Sequence, residues 1–118
     1  MENLQKAINR AKEIGWEVYL KKEKDYYYLC FGNYTPYGQD ISEEFDFNGT
    51  FKDLLQQLSY RVDNFDCSYE AYLWLDDSGH GTNGSPYDMK DLYEDMEKRL
   101  EMLRELENEL KELLKGEI

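Results

Sequence analysis

The sequence predicts a single α+β domain over residues 1–118, with its elements in the order α-β-β-β-α-β-α. Three observations support this fold class. Apolar and polar residues alternate with a period of two in four segments, apolar residues recur every three or four positions in three others, and turn-forming residues separate the segments. A chain of 118 residues also has the length of one typical domain.

The amino-terminal third predicts a helix followed by a β-hairpin. Residues 2–14 carry apolar side chains at helical spacing, and Gly15 is a typical residue just beyond a helix end. Residues 16–21 then alternate as in a half-buried strand. The charged tract 22–25 predicts a turn, and the aromatic segment 26–31 predicts the second strand.

A loop and a third strand follow the hairpin. Pro36 and Gly38 are turn formers, and they predict a loop over residues 34–40. In residues 41–47 the side chains of one parity are Ile41, Glu43, Phe45 and Phe47, and those of the other parity are all polar, which predicts a strand. Asn48-Gly49 predicts its end.

The next two segments predict a helix and a fourth strand. Thr50 and Asp53 resemble a capping box, and the apolar spacing predicts a helix over residues 51–65. Residues 69–75 alternate again and predict a strand. Because short connections join antiparallel neighbours, we expect a mainly antiparallel four-stranded sheet with the first two helices on one face.

The carboxyl-terminal segment predicts one long helix over about residues 86–115. Ser85, Pro86 and Asp88 are three concordant helix-start signals. The apolar repeat of this helix covers roughly 28 residues, or about 42 Å at 1.5 Å per residue, which is too long to be buried whole on a small domain. The apolar stripe of this helix has two possible partners. One is the sheet of the same chain. The other is a second copy of the chain, and we expect such a homodimer to pair through residues at heptad spacing: Leu103, Leu106, Leu110 and Leu113.

Negative charge is concentrated in the middle of the chain. The net charge is −12, and residues 25–97 hold 16 acidic and 3 basic side chains. Such a field repels nucleic acid and anionic lipid and attracts basic protein surfaces, including those that normally bind DNA or RNA. Direct nucleic-acid binding is therefore disfavoured, and a basic protein surface is the expected partner.

Tyrosines lie among these acids. Exposed tyrosine beside charged residues is typical of protein-recognition surfaces. A solvated acidic face, with aromatic side chains that merely clad the sheet, is the competing interpretation. Seven tyrosines are candidates for exposure: Tyr19, Tyr27, Tyr34, Tyr37, Tyr60, Tyr72 and Tyr87. The predicted partner-binding residues are Tyr34, Tyr37, Asp40, Glu43, Glu44, Asp46, Tyr72, Asp76 and Asp77.

Compartment and redox state follow from what the sequence lacks. No apolar run has the length of a membrane span, and the amino terminus has no secretory pattern, so we expect a cytoplasmic location. Cys30 and Cys67 are then expected to be reduced packing residues, without a disulfide or a metal.

Three readings of the loop 76–84 would imply chemistry, and each is weak. His80 beside Asp76 and Asp77 lacks the second positioned group that acid–base catalysis requires. The oxygen-bearing side chains of the loop do not match the pattern of a calcium-binding loop. Gly79, Gly81 and Gly84 have the spacing of a phosphate-binding fingerprint, but no βαβ unit surrounds them. We therefore expect no enzyme, no cofactor and no metal.

Three parts of the chain carry a resemblance to a known group of proteins. The chain resembles small acidic proteins encoded by phages and integrative elements of gut bacteria in the segments FGNYTPYGQD (31–40) and YEAYLWLDDSGHGTNGSPYDMKDLYEDM (69–96) and in its leucine-rich end. In charge the chain is similar to ArdA-type antirestriction proteins and acidic anti-CRISPR proteins. This resemblance implies an inhibitor that binds the nucleic-acid-binding surface of a host nuclease. The alternative is an accessory or regulatory module of a phage or conjugative element.

Overall fold

The computed structural model describes residues 2–36, 38–78 and 89–115 and shows an α+β fold. This confirms the predicted fold class. Its elements are α1 (Glu2–Glu13), β1 (Glu17–Lys22), β2 (Tyr27–Tyr34), β3 (Asp40–Phe47), α2 (Phe51–Asp63), α3 (Cys67–Ser78) and α4 (Met89–Lys115).

The three strands form one antiparallel sheet in the order β1-β2-β3. The register places Leu20 of β1 opposite Leu29 of β2, and Leu29 opposite Phe45 of β3. Because side chains alternate between faces, this row and every second residue along each strand point to one side of the sheet. That side is the inner face. On β3 the alternation is complete, from exposed Asp40 to buried Phe47.

Helices α1, α2 and α4 bury their apolar faces with the inner face of the sheet in one core. The spacing of three and four residues puts these side chains on one stripe of each helix. The helical members of the core that are wholly or almost wholly inaccessible are Leu4, Ala7, Ala11, Leu54, Leu58, Leu103, Leu106 and Leu110.

The turn between β3 and α2 shows how local sequence sets a boundary. Gly49 has a φ of +92°, in the left-handed region that favours glycine. A Cβ atom at this position would lie 2.5 Å from a ring carbon of Tyr27, so a side chain is also excluded by space. The next residue, Thr50, caps α2 by accepting a hydrogen bond from the Asp53 N–H at 3.1 Å. One half of the predicted capping box is therefore confirmed. The reciprocal bond does not form, because the Thr50 N–H donates to the Asn48 side chain at 2.9 Å and the Asp53 carboxylate accepts the Asn48 N–H instead.

The predicted fourth strand over residues 69–75 is wrong, because this segment lies inside α3. The side chain of Asp66 caps the helix by accepting bonds from the N–H groups of Ser68 and Tyr69. Ala71 is fully buried against Leu92 and Met96 of α4, in a small second core. Packing on a helix therefore decided the structure of a segment whose apolar residues alternate.

The leucines predicted to join two copies lie in the chain's own core. Leu103, Leu106 and Leu110 are all 0% exposed, and Leu113 is partly buried against the same cluster. Two helices, α1 and α2, pack against α4 and cover its apolar stripe. The predicted contact through these leucines is therefore corrected, because the three buried ones have no surface to offer a second copy.

Candidate protein-binding surface

The outer side of the sheet is not covered by any described helix, and we call it the open face. Three described helices occupy the inner face, so the outward side chains of the strands meet solvent. The open face consists of Glu17, Tyr19 and Lys21 from β1, Tyr28, Cys30, Gly32 and Tyr34 from β2, and Asp40, Ser42, Glu44 and Asp46 from β3.

Acidic side chains line the β3 side of the open face. Asp40, Glu44 and Asp46 are exposed there, and Glu17 lies on β1. Positions on one face of a strand are about 7 Å apart, so the Glu44 and Asp46 carboxylates are close neighbours. Lys21 is the one basic residue among the open-face positions. The open face is therefore negatively charged, and most strongly so along β3.

Tyrosines occupy the centre and one end of the open face. Tyr34 is 61% exposed and Tyr19 is 58% exposed. The rings of Tyr19 and Tyr28 meet edge to face with centroids 6.2 Å apart. The Tyr28 hydroxyl donates a short hydrogen bond to the Glu44 carboxylate. This bond raises the pKa of the Tyr28 phenol, because ionisation would place a second negative charge beside Glu44.

Cys30 lies at the middle of the open face, between Tyr19 on β1 and Glu44 on β3. The thiol is free and only partly accessible. Partial burial raises its pKa, and the charge of Glu44 acts in the same direction. A raised pKa leaves little of the reactive thiolate near neutral pH. The arrangement is therefore that of a packing residue and does not activate a nucleophile.

Glu43 does not belong to the surface predicted from the sequence. It points to the inner face, and its side chain is 3% exposed. Its carboxylate accepts hydrogen bonds from Arg61 Nε and from Arg99 Nε, both at 2.7 Å. Arg61 also binds Glu70 at 2.6 Å. These four residues form what we call the ion cluster, which ties β3, α2, α3 and α4 together.

The ion cluster explains why an acid can occupy the inner face of β3. Burying a single carboxylate is costly unless it is paired and hydrogen-bonded. Here two arginines offset the charges of two carboxylates, and the guanidinium of Arg61 also lies 4.7 Å from the ring centroid of Phe65. The role of Glu43 is therefore structural, and its assignment to partner binding is corrected.

A second buried polar contact holds the start of the β2–β3 connection. Thr35 donates its hydroxyl to the Asp95 carboxylate of α4 at 2.5 Å, and Asp95 is 0% exposed. The Thr35 hydroxyl also accepts the Gln39 N–H at 3.0 Å. This contact lies beside Tyr34 and fixes one end of the open face to the helical layer. Sequence reasoning missed it, because the two residues are 60 positions apart.

The predicted binding residues divide into two groups. Tyr34, Asp40, Glu44 and Asp46 share the open face, whereas Tyr72 is exposed on α3. The backbone of 76–77, which are both aspartates, belongs to the end of α3. Tyr37 lies outside the described residues, as do His80 and the glycines of its loop.

A small cavity lies where the two groups approach each other. It has a volume of about 250 Å³, and Asp40 and Ser42 of β3 line it together with Leu73 and Trp74 of α3. Arg99 also lines this cavity, but its guanidinium already binds Glu43. The cavity therefore separates α3 from the sheet and offers no unengaged cation for a ligand.

A further exposed tyrosine, Tyr60, lies on α2 between two shallow grooves of about 610 Å³ each. Of the seven tyrosines predicted to be exposed, four are exposed, namely Tyr19, Tyr34, Tyr60 and Tyr72. Tyr27 is half-buried, and residues 37 and 87 are outside the described residues. Sequence reasoning did not name three other exposed tyrosines, which are Tyr26, Tyr69 and Tyr93.

Within residues 2–36, 38–78 and 89–115, no group of three or more metal-binding side chains is close enough to hold an ion. Among the same residues, none of the helices is both long and apolar enough to span a membrane. The described part of the open face presents carboxylates and phenols to solvent.

Comparisons with protein-family models, with curated proteins and with solved structures find no match for this chain.

Proposed function

We propose that the protein is an inhibitor that binds the nucleic-acid-binding surface of another protein through its open face. In its specific form, the proposal is a phage or mobile-element anti-defence protein that acts on a host nuclease such as a CRISPR effector or a restriction enzyme. The observation that carries the proposal is the position of the helices, since those described leave one face of the sheet uncovered where acids and tyrosines lie together.

Electrostatics supports a basic partner. The open face carries four carboxylates and one lysine among its strand positions. A surface of one sign steers an oppositely charged partner and speeds its association, and it repels like-charged nucleic acid. A protein surface that normally binds DNA or RNA is rich in Lys and Arg and has the complementary charge.

The rigidity of the open face supports tight contact. Strand pairing fixes the backbone of the open-face tyrosines, and two of the rings are also held, by the Tyr19–Tyr28 ring contact and by the Tyr28–Glu44 hydrogen bond. Side chains that are already ordered lose less entropy on binding than mobile ones. Exposed Tyr34 can then be buried as an anchor, with carboxylates at the rim of the contact.

Competition for DNA tests the proposal. A purified nuclease is bound to a fluorescently labelled duplex, and anisotropy is followed as the protein is added. The protein should release the duplex without binding it. Changing Glu44→Lys and Asp46→Lys together should weaken competition by about tenfold or more, because like charges then face the partner.

A matched control distinguishes the effect of charge on the open face from the effect of the protein's net charge. Asp63→Lys with Glu105→Lys changes the net charge equally, at exposed positions on α2 and α4. This pair should leave competition almost unchanged. Equal loss in both pairs would overturn the assignment to the open face. Another outcome would favour the alternative function. If the protein releases DNA from no nuclease, but a replication or transfer protein of the mobile element binds the open face, the protein is an accessory module of that element.

A further inference from the structure

The two edges of the sheet differ in how their outward backbone groups are engaged. At the β3 edge, the Ser42 carbonyl accepts a bond from Arg99 Nη2 at 3.4 Å, and the Asp46 carbonyl accepts one from Gln57 Nε2 at 2.7 Å. Side chains of α4 and α2 therefore cap this edge. Capped or covered edges are the usual protection against pairing with another strand.

At the β1 edge, the hydrogen-bonding pattern of the hairpin shows which backbone N–H and C=O groups point away from the sheet. The Glu23 N–H donates to the Tyr26 carbonyl at 2.8 Å, which makes this a hydrogen-bonded pair of the β1–β2 hairpin. In an antiparallel pair, every second residue of a strand is hydrogen-bonded to the neighbouring strand. Counting back from Glu23, the bonded residues of β1 are Lys21, Tyr19 and Glu17. The residues between them, Val18, Leu20 and Lys22, therefore direct their N–H and C=O groups away from β2. Among the described residues, none outside the strand forms a backbone hydrogen bond with these three.

We propose that the β1 edge pairs with the β1 edge of a second copy of this chain, antiparallel and with Tyr19 opposite its counterpart. The interface is two-fold symmetric, so each contact between two different residues occurs twice, once on each side of the symmetry axis. Val18 then lies opposite Leu20 of the other copy, and the two pairs exchange four backbone hydrogen bonds. Both side chains of such a pair are apolar and lie on the inner side of the combined sheet.

Charge complementarity selects this register. On the open face, Glu17 of one copy comes to lie opposite Lys21 of the other, and this happens at both ends of the interface. A shift of the symmetry point by one residue, to Leu20, would instead set Glu17 opposite Glu23 and Val18 opposite Lys22. In the monomer Lys21 pairs with Glu23 at 3.1 Å, but this pair is exposed and contributes little.

The paired copies share one continuous six-stranded open face. The Tyr19–Tyr28 pairs of the two copies meet at its centre, and the acid-lined β3 strands form its outer margins. Five strand spacings separate these margins by about 24 Å. The inference does not depend on the proposed function, since it follows from the β1 edge alone.

Light scattering over a micromolar concentration series tests the pairing. The wild-type chain should approach twice its monomer mass of 14.2 kDa. Either Glu17→Lys or Lys21→Glu alone puts like charges opposite each other in the self-pair. Each should raise the dimer dissociation constant by about tenfold or more.

A mixture of the two variants shows whether each variant is monomeric because its edge no longer pairs or because the chain no longer folds. A Glu17→Lys chain and a Lys21→Glu chain present opposite charges to each other at both ends. An equimolar mixture should therefore form a dimer at concentrations where each variant alone is monomeric. A chain carrying both changes should dimerise with itself, for the same reason.

Cross-linking tests the register. In a Cys30→Ser, Cys67→Ser background, Tyr19→Cys should form an intermolecular disulfide on mild oxidation, because non-hydrogen-bonded partners have Cα atoms about 4.5 Å apart. Lys21→Cys in the same background should not form this disulfide. A monomer mass throughout the series would overturn the inference, as would a dimer that neither charge change weakens. DNA competition by a strictly monomeric protein would leave the proposed function intact.

Discussion

At the scale of single residues, Glu43 and Glu44 show how adjacent acids acquire unrelated roles. Glu43 lies on the inner face and joins two arginines, whereas Glu44 lies on the open face and accepts the Tyr28 hydroxyl. Strand geometry alone separates them, since neighbouring side chains point to opposite faces. Their contributions to stability should therefore differ.

We expect Glu43→Gln to lower the free energy of unfolding by about 3 kcal/mol, because it leaves two largely buried arginines with only the carboxylate of Glu70 as a counter-charge. Arg99 is only 11% exposed and cannot regain full hydration by a side-chain movement. Urea unfolding followed by circular dichroism measures the loss. Glu44→Gln is the matched control and should cost less than about 1 kcal/mol. Similar costs for the two variants would contradict a structural role for the ion cluster.

Tyr28 should keep its proton to a higher pH than an ordinary phenol. Its hydrogen bond to Glu44 raises the phenol pKa above the ordinary value of about 10. The stabilisation from this bond is therefore fully present below pH about 10 and is lost as the pH rises through the raised pKa. NMR of ring-labelled tyrosine measures the titration residue by residue.

Glu44→Gln should move the pKa of Tyr28 back towards its ordinary value. Asp46→Asn is the control, since Asp46 lies opposite Tyr28 in the register but does not accept its hydroxyl. Titration of Tyr28 at the ordinary phenol pKa of about 10 in the unmodified protein would show that the bond does not form.

At the scale of whole elements, α3 and α4 show the limits of periodicity. Residues 69–75 alternate like a strand, but Cys67, Ala71 and Trp74 also share a helical stripe, and these three pack towards the second core. A short segment can satisfy both periods. Capping by Asp66 and the contact with α4 stabilised the helix.

The α4 leucines lead to a prediction about the effect of a charge in the core. Leu106→Glu should unfold the chain, because an unpaired carboxylate buried at a 0% exposed position costs more than a domain of this size can lose. Loss of the far-ultraviolet helix signal measures it. Leu106→Met, which conserves volume, should cost less than about 1.5 kcal/mol. A folded Leu106→Glu monomer obtained from a wild-type dimer would instead restore the helix interface predicted from the sequence.

At the scale of the whole molecule, the sheet divides the structure into a helical side and a charged side. The described helices bury the inner face, and the acids and tyrosines of the strands remain on the open face. Long-range steering by such a face depends on ionic strength. A partner recognised there should respond to salt in a characteristic way.

Raising the salt concentration from 0.1 M to 1 M shortens the Debye length from about 10 Å to about 3 Å, so association with a basic partner should slow. Dissociation should change much less, because buried aromatic contacts are not screened. Surface plasmon resonance measures both rates. Tyr34→Ala should mainly speed dissociation, with Tyr69→Ala on α3 as the control. An association rate independent of salt would contradict an electrostatic role for the open face.

Particular residues show how far the candidate site could be predicted. Tyr34, Asp40, Glu44 and Asp46 were predicted and share the open face, because strand alternation is visible in the sequence. Glu43 was predicted with them although it lies on the apolar parity of the same strand. The alternation already placed it inward, but the arginines that neutralise it are 18 and 56 positions away.

The sequence by itself determined the α+β class, the hairpin and third strand, and the helices at both ends, because these depend on local periodicity, capping and turn chemistry. Only the tertiary structure decided that residues 67–78 form a helix, that the α4 leucines serve the chain's own core, and that two distant arginines neutralise the inward-facing Glu43. The physical reason is the same in each case. A segment or side chain that is locally ambiguous takes the state that its distant neighbours can pack or neutralise, and those neighbours are brought together only by the completed fold.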